Sequence, residues 1–275
     1  MSSQRTDMLD GLQAAVITEE QKKRENEKQK YKFDPLAMYF REDYEVAGVR
    51  IVEPTIGDIL KIGEQNFYSG ISPLLYNSTS IRVMLWENNI DWCNVKDIEV
   101  FNILSKMPNT NYESMRLLFP DNRIEDMELI SIKENNTQEN QLLLYDENKD
   151  FLLKESDFNE IAEYVRTLLN VHPKVEKAKG KTAKRWMIDE DRINTVSKDT
   201  KDESTLLPLV SACVNHPGFK YKLQELRDVG IYEFMDSVQR LQIYESSRAL
   251  LNGSYSGFSD LSKVPKEQFN FMRNI

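Results

Sequence analysis

Apolar positions recur at intervals of three and four residues along most of this chain, which predicts a mainly helical protein. The clearest apolar stripes lie in residues 56–67, 158–169 and 231–251. Thr55 and Asp58 have the spacing of a capping box, which predicts the start of the first of these helices. Asn252-Gly253 predicts the end of the longest one, because glycine favours the left-handed conformation that closes a helix.

Two further signals concern where helices begin and how they pack. Gly57 and Gly63 lower helix propensity, which indicates either close packing against a neighbouring segment or a weaker helix. Asp157 and Glu160 repeat the capping-box spacing, so we expect a later helix to begin there.

Strand-like segments occupy two places between the helices. Residues 44–52 fit a short hairpin that turns near Gly48. Residues 124–133, 141–145 and 151–153 have the spacing of a small antiparallel meander, which needs a helix to pack against. The predicted fold class is therefore α+β and predominantly α: a helical array with a small antiparallel β-meander and a C-terminal helical unit.

Shifts in composition divide the chain into four predicted segments. They are a charged, mobile N-terminal leader (1–32), a helical domain with the small meander (33–172), a basic and polar linker (173–204) and a C-terminal helical domain (205–275).

The basic stretch of the predicted linker has two interpretations. Between Lys174 and Arg185 there are six basic residues and one acidic residue, a pattern that fits either a nucleic-acid or acidic-partner contact or a self-repelling hinge. Only Trp186 is present for base stacking, which favours the hinge. The whole chain has 45 acidic and 36 basic residues, a net charge of −9, so nonspecific nucleic-acid binding is not expected.

Composition also bears on the cellular compartment. The mean hydropathy of −0.57 and the lack of an apolar run near 18 residues argue against a membrane span. The polar start, Met1 to Asp10, does not resemble a secretory signal. Cys93 and Cys213 are too few for a disulfide framework or a zinc site, so a reducing cytosol is expected.

The residues that most resemble an enzyme motif do not satisfy its spacing. Gly180-Lys181-Thr182 would need a glycine at position 175 to form a phosphate loop, and Val175 stands there. Asp189-Glu190-Asp191 places consecutive carboxylates around a helix and not towards one ion. We therefore expect no catalytic, cofactor-binding or metal-binding residues, no cofactor and no enzymatic activity.

Several segments carry a resemblance to a known class of proteins. They are Phe33–Phe40, Pro54–Ile59, Ile90–Trp92, Gly253–Phe258 and Phe271–Arg273. In these segments the chain resembles proteins encoded in the tail gene clusters of phages and prophages of Gram-positive bacteria, and it is most similar to tail assembly chaperones. The resemblance implies a non-catalytic, acidic, helical protein of the host cytoplasm that binds tape measure or tail tube protein before polymerisation.

An amphipathic tape measure helix would aggregate if left exposed, and an apolar groove on a helical array could cover it. Candidate partner-binding residues are Met84, Trp92, Trp186, Met235 and Phe258. The two methionines also fit an ordinary core, and Trp92, in the connector 90–92, also fits a buried indole. Two other roles agree with the same sequence, namely a structural virion component of the neck or baseplate and a phage-encoded regulatory protein.

Overall fold

The computed structural model describes residues 33–108, 111–133, 140–197, 204–256 and 264–273. Within these ranges the chain forms ten α-helices and two small antiparallel sheets, which confirms the predominantly α, α+β fold class. The helices are α1 (Pro35–Tyr39), α2 (Ile56–Ile62), α3 (Glu64–Leu75), α4 (Arg82–Glu87), α5 (Asp97–Ser105), α6 (Glu113–Leu118), α7 (Glu155–Leu168), α8 (Lys181–Ser197), α9 (Leu206–Val214) and α10 (Ile231–Ser256). The strands are β1 (Tyr44–Val46), β2 (Val49–Ile51), β3 (Glu128–Lys133), β4 (Asn140–Asp146) and β5 (Phe151–Lys154). Short 3-10 helices span Trp92–Asn94, Ile124–Asp126, Glu225–Asp228 and Lys266–Phe269. The predicted leader, 1–32, lies outside the described residues.

The first sheet is the predicted hairpin. Val46 pairs with Val49, so the loop contains only Ala47 and Gly48. Both loop residues have positive φ, 50° and 81°, as the tight turn that matches strand twist requires. The expected turn near Gly48 is confirmed.

Helix α2 begins as the capping box predicts. The Thr55 hydroxyl accepts a hydrogen bond from the Asp58 amide at 3.1 Å, and the Asp58 carboxylate accepts one from the Thr55 amide at 3.2 Å. A Cβ at Gly57 would lie 2.6 Å from the Arg227 carbonyl oxygen. Close packing is therefore the correct interpretation of Gly57. At Gly63 the backbone has φ 88° and the helix ends, so the predicted helix over residues 56–67 is divided into α2 and α3.

The second sheet is the predicted meander, in the order β3-β4-β5. Leu144 of the central strand pairs with Leu129 on one side and with Leu153 on the other. Leu144 and Leu153 are buried in one cluster with Phe158 of α7, so the sheet packs against this helix as expected. The predicted helix start at Asp157 is wrong, because α7 begins at Glu155 directly after β5.

Among the described residues, the buried apolar side chains form two clusters. The larger one includes residues from both 33–172 and 205–275, among them Phe67 and Phe234, so these two ranges share buried contacts. The smaller one contains Ile81, Leu85, Trp92, Val100, Leu104 and Ile188.

The segment 173–204, predicted as a linker, contains α8, and Ile188 of that helix is buried in the smaller cluster. Before α8, the Lys174 carbonyl accepts a hydrogen bond from the Asn77 side chain at 2.8 Å, and the Glu176 amide donates one to the Thr79 hydroxyl at 3.0 Å. The described part of this segment is therefore attached to residues around α4, which differs from the flexible hinge expected from its charge.

Candidate partner-binding groove

A recess of about 300 Å³ opens between the C-terminal half of α10 and the segment 264–273. Its lining residues are Tyr244, Ser247, Arg248, Leu251, Asn252, Tyr255 and Phe271. Most of this surface is aromatic or aliphatic, and we call it the α10 groove.

Only the first turns of α10 are buried in the core, and the helix continues well beyond them. The α10 groove lies along this later, exposed part. Ile231 and Phe234, in its first turns, are fully buried in the larger cluster. Tyr244, Leu251 and Tyr255 recur at helical spacing further along, and all three are exposed, Tyr255 by 86%. Asn252-Gly253 does not end the helix as predicted, because α10 runs on to Ser256.

Polar contacts hold the segment 264–273 against α10. The buried Ser247 hydroxyl donates to the Gln268 carbonyl at 2.8 Å. Arg273 Nη1 donates to Ser247 Oγ at 3.1 Å and to the Gln268 carbonyl at 2.9 Å. Arg240 Nη1 donates to the Arg273 carbonyl at 2.6 Å. These hydrogen bonds fix one wall of the groove relative to the other.

An aromatic pair forms part of the lining of the α10 groove. Tyr244 and Phe271 lie edge to face, with ring centroids 5.9 Å apart and planes at 83°. Both rings remain exposed on their other sides. They therefore present apolar surface to solvent in a fixed orientation.

The charge at the groove comes from Arg248. Its Nη1 lies 3.8 Å from Glu245 Oε1, a long contact on the helix surface. The same Glu245 oxygen lies 3.3 Å from His216 Nε2, so this carboxylate is shared by two basic side chains. A weakly paired guanidinium of this kind leaves a positive edge beside apolar rings.

The residues predicted to bind partners lie elsewhere. Trp92 is fully buried in the smaller cluster and donates its indole hydrogen to the Glu176 carbonyl at 3.2 Å, and Met84 packs against that cluster. Met235 is half-buried against the larger cluster. Trp186, on α8, is 54% exposed, and Phe258 lies outside the described residues. The structure brings Met84 and Trp92 together, but none of the four described residues lines the α10 groove.

The sequence predicts the helix that carries the α10 groove, but it does not predict the groove itself. The available signal was a stripe that continues through Tyr244, Leu251 and Tyr255 and is followed by aromatic residues such as Phe271. An apolar stripe on a helix does not distinguish a face buried in the core from a face exposed to solvent.

The described ranges contain neither a metal-binding cluster nor a helix that could span a membrane. There, no three His, Cys, Asp or Glu side chains gather closely enough to hold a metal ion. None of the helices assigned in those ranges combines the length and apolar character needed to cross a membrane. Comparisons of the chain with models of protein families, with curated proteins and with solved structures find no match.

Proposed function

We propose that this chain is a non-catalytic factor of phage tail morphogenesis, a tail assembly chaperone that binds tape measure or tail tube protein in the host cytoplasm. The α10 groove is the observation that carries the binding role. The choice of client comes from the resemblance to tail assembly chaperones in the segments Phe33–Phe40, Pro54–Ile59, Ile90–Trp92, Gly253–Phe258 and Phe271–Arg273.

The groove has the properties of a site for a client helix. Aromatic side chains contribute much of the binding energy at protein interfaces, since they bury large areas at a small entropic cost. Tyr244, Tyr255 and Phe271 present such area beside one another. Because hydrogen bonds already hold the segment 264–273, less ordering is needed when the client binds.

The proposed role explains why such a surface is left open. A tape measure helix carries an apolar stripe that aggregates before the tail tube forms around it. A helix can lie in an apolar groove with its own apolar face inward, and Arg248 at the edge favours a client with a carboxylate there. If the client is a tail tube subunit, the groove would bind an apolar segment of that subunit, which neighbouring subunits cover after assembly.

Co-expression with the tape measure protein of the same gene cluster tests this proposal. The wild-type chain should raise the soluble yield of the tape measure protein, and the double variant Tyr244→Ala/Tyr255→Ala should lose that effect. Tyr76→Ala is a matched control, because Tyr76 and Tyr244 are both 43% exposed and Tyr76 lies outside the groove. An unchanged yield with the wild-type chain, for the tape measure and the tail tube protein alike, contradicts the proposal.

Mass spectrometry of purified particles distinguishes the chaperone from a structural role. A chaperone is released before the particle is complete, so its peptides should be missing from mature virions. Detection in amounts similar to those of neck or baseplate proteins would favour a structural virion component.

A further inference from the structure

Glu53 joins the segment after the first hairpin to the start of α10. Its Oε1 accepts a hydrogen bond from the Tyr232 amide, in the first turn of α10, at 2.8 Å. Two backbone hydrogen bonds of 3.0 Å flank this contact, from the Ile231 amide to the Pro54 carbonyl and from the Ile56 amide to the Val229 carbonyl. Glu53 therefore provides, from a distant part of the chain, a cap for the N-terminus of α10.

This carboxyl group is closely packed and shielded from solvent. The residue is only 6% exposed, and Oε2 has no hydrogen-bond partner among the described residues. A Cβ at Gly230 would lie 2.2 Å from Oε1, so glycine permits the close approach. Burial of an ionised carboxylate costs more free energy than burial of the neutral carboxyl, because the charge loses its hydration.

Charged and titratable groups from three sides face Glu53. They are Arg41 after α1, Tyr164 on α7, and Tyr232 and Glu233 on α10. Arg41 and the Tyr232 amide favour the ionised carboxylate, while Glu233 opposes it. Burial is the largest effect and raises the pKa of Glu53 to about 7.

We infer that Glu53 is a pH-sensitive anchor, which holds the N-terminus of α10 against residues 53–56 when it is neutral and weakens that hold when it ionises. Opening this contact returns the carboxyl to water, where its pKa is near the ordinary value of 4.5. The anchored form therefore keeps a proton that the open form loses between about pH 4.5 and 7. The anchoring is strongest below this range and declines as pH rises through it.

Hydrogen exchange on the full chain tests the inference. The measured quantity is the protection factor of the Tyr232 amide, which compares the observed exchange rate with the intrinsic rate at the same pH. In the wild type it should fall by on the order of tenfold or more between pH 5 and pH 7. Glu53→Gln keeps an acceptor for this amide and cannot ionise, so its protection should stay high and nearly constant.

Glu125→Gln is the matched control. Glu125 is also buried, its pKa is also raised by burial, and its Oε2 is likewise without a partner in the described residues. It lies beside Arg116 of α6, so its replacement should leave the pH dependence at Tyr232 intact. An identical pH dependence in the wild type and in Glu53→Gln would overturn the inference.

Carbon-13 NMR of the carboxyl groups in the wild-type protein gives a second test that needs no variant. The Glu53 resonance should titrate well above the ordinary range for glutamate. A Glu53 midpoint near 4.5 would overturn the inference, even if Glu53→Gln failed to fold.

Discussion

Arg82 of α4 and Asp191 of α8 form a two-point ion pair, although 109 residues separate them in the sequence. Arg82 Nη2 donates to Asp191 Oδ1 at 2.6 Å, and Nε donates to Oδ2. The remaining nitrogen, Nη1, donates to the Glu176 carboxylate. The guanidinium is almost completely buried, so it fastens two points of the segment 176–191 to α4.

Replacing Arg82 with alanine should lower the free energy of unfolding by about 2–4 kcal/mol, measured by urea denaturation. The loss is large because the variant removes a buried guanidinium together with its charge-assisted hydrogen bonds to Asp191 and Glu176. Arg185→Ala is the control, since Arg185 is largely exposed and lies 3.8 Å from Asp189, a pair expected to contribute less than about 0.5 kcal/mol. Equal losses in the two variants would contradict this prediction.

Gly70→Ala should destabilise the protein, although alanine is the better helix former. A Cβ at Gly70 would lie 2.2 Å from the Asn111 carbonyl oxygen, so α3 and the start of the α6 segment would have to separate. We expect a loss of about 1–3 kcal/mol in the free energy of unfolding. Ser69→Ala, at the exposed neighbouring position of α3, should be neutral or slightly stabilising. A neutral Gly70→Ala would show that the two segments are not in close contact.

Ser247→Ala should loosen the segment 264–273 without unfolding the rest of the chain. The variant loses the hydrogen bond to the Gln268 carbonyl and an acceptor for Arg273. The free energy of opening this segment should fall by about 1–2 kcal/mol, which corresponds to roughly 5- to 30-fold faster tryptic cleavage at Lys266. Ser254→Ala, at an exposed position of α10, should be cleaved like the wild type. Unchanged cleavage of Ser247→Ala would mean that these hydrogen bonds do not hold the segment.

The two cysteines should differ in their reaction with an aromatic disulfide reagent. Cys93 is partly exposed, whereas Cys213 is buried, and burial raises the pKa of the Cys213 thiol. We expect one thiol to react quickly in the native state and the other only after unfolding. Cys93→Ser should abolish the fast phase and Cys213→Ser should retain it. Two equally fast thiols would contradict the buried position of Cys213.

Features set by neighbouring residues could be predicted from the sequence. The capping box at Thr55 and the turn at Gly48 each depend on a few adjacent positions, and both occur where the pattern placed them. The same kind of signal was wrong at Asp157, because β5 leads directly into α7 and the helix begins earlier. The helix end predicted at Asn252-Gly253 was also wrong, because both residues lie inside α10.

Contacts between distant residues could not be predicted in this way. The basic stretch that includes Lys184 has the composition of a hinge. In the structure, however, Lys184 Nζ donates a hydrogen bond to Asp91 Oδ2 at 2.5 Å, and Asp91 lies 93 positions earlier in the sequence. Trp92 fits both a partner contact and a buried indole by its sequence, and in the structure it is buried. A single aromatic residue does not reveal which face the fold covers. The α10 groove could not be predicted for the same reason. It forms only because the segment that contains Phe271 packs against α10, which the sequence pattern does not show.

The contact between Glu53 and Tyr232 also has a consequence for biosynthesis. These residues are 179 positions apart, so the ribosome must deliver nearly the whole described polypeptide before the segment after the hairpin meets its partner. Pairing at such a separation slows folding, and the side chains that pack against the start of α10 stay uncovered until this helix is made. Translation speed and the chaperones of the cell would therefore affect how much of this protein reaches its native state.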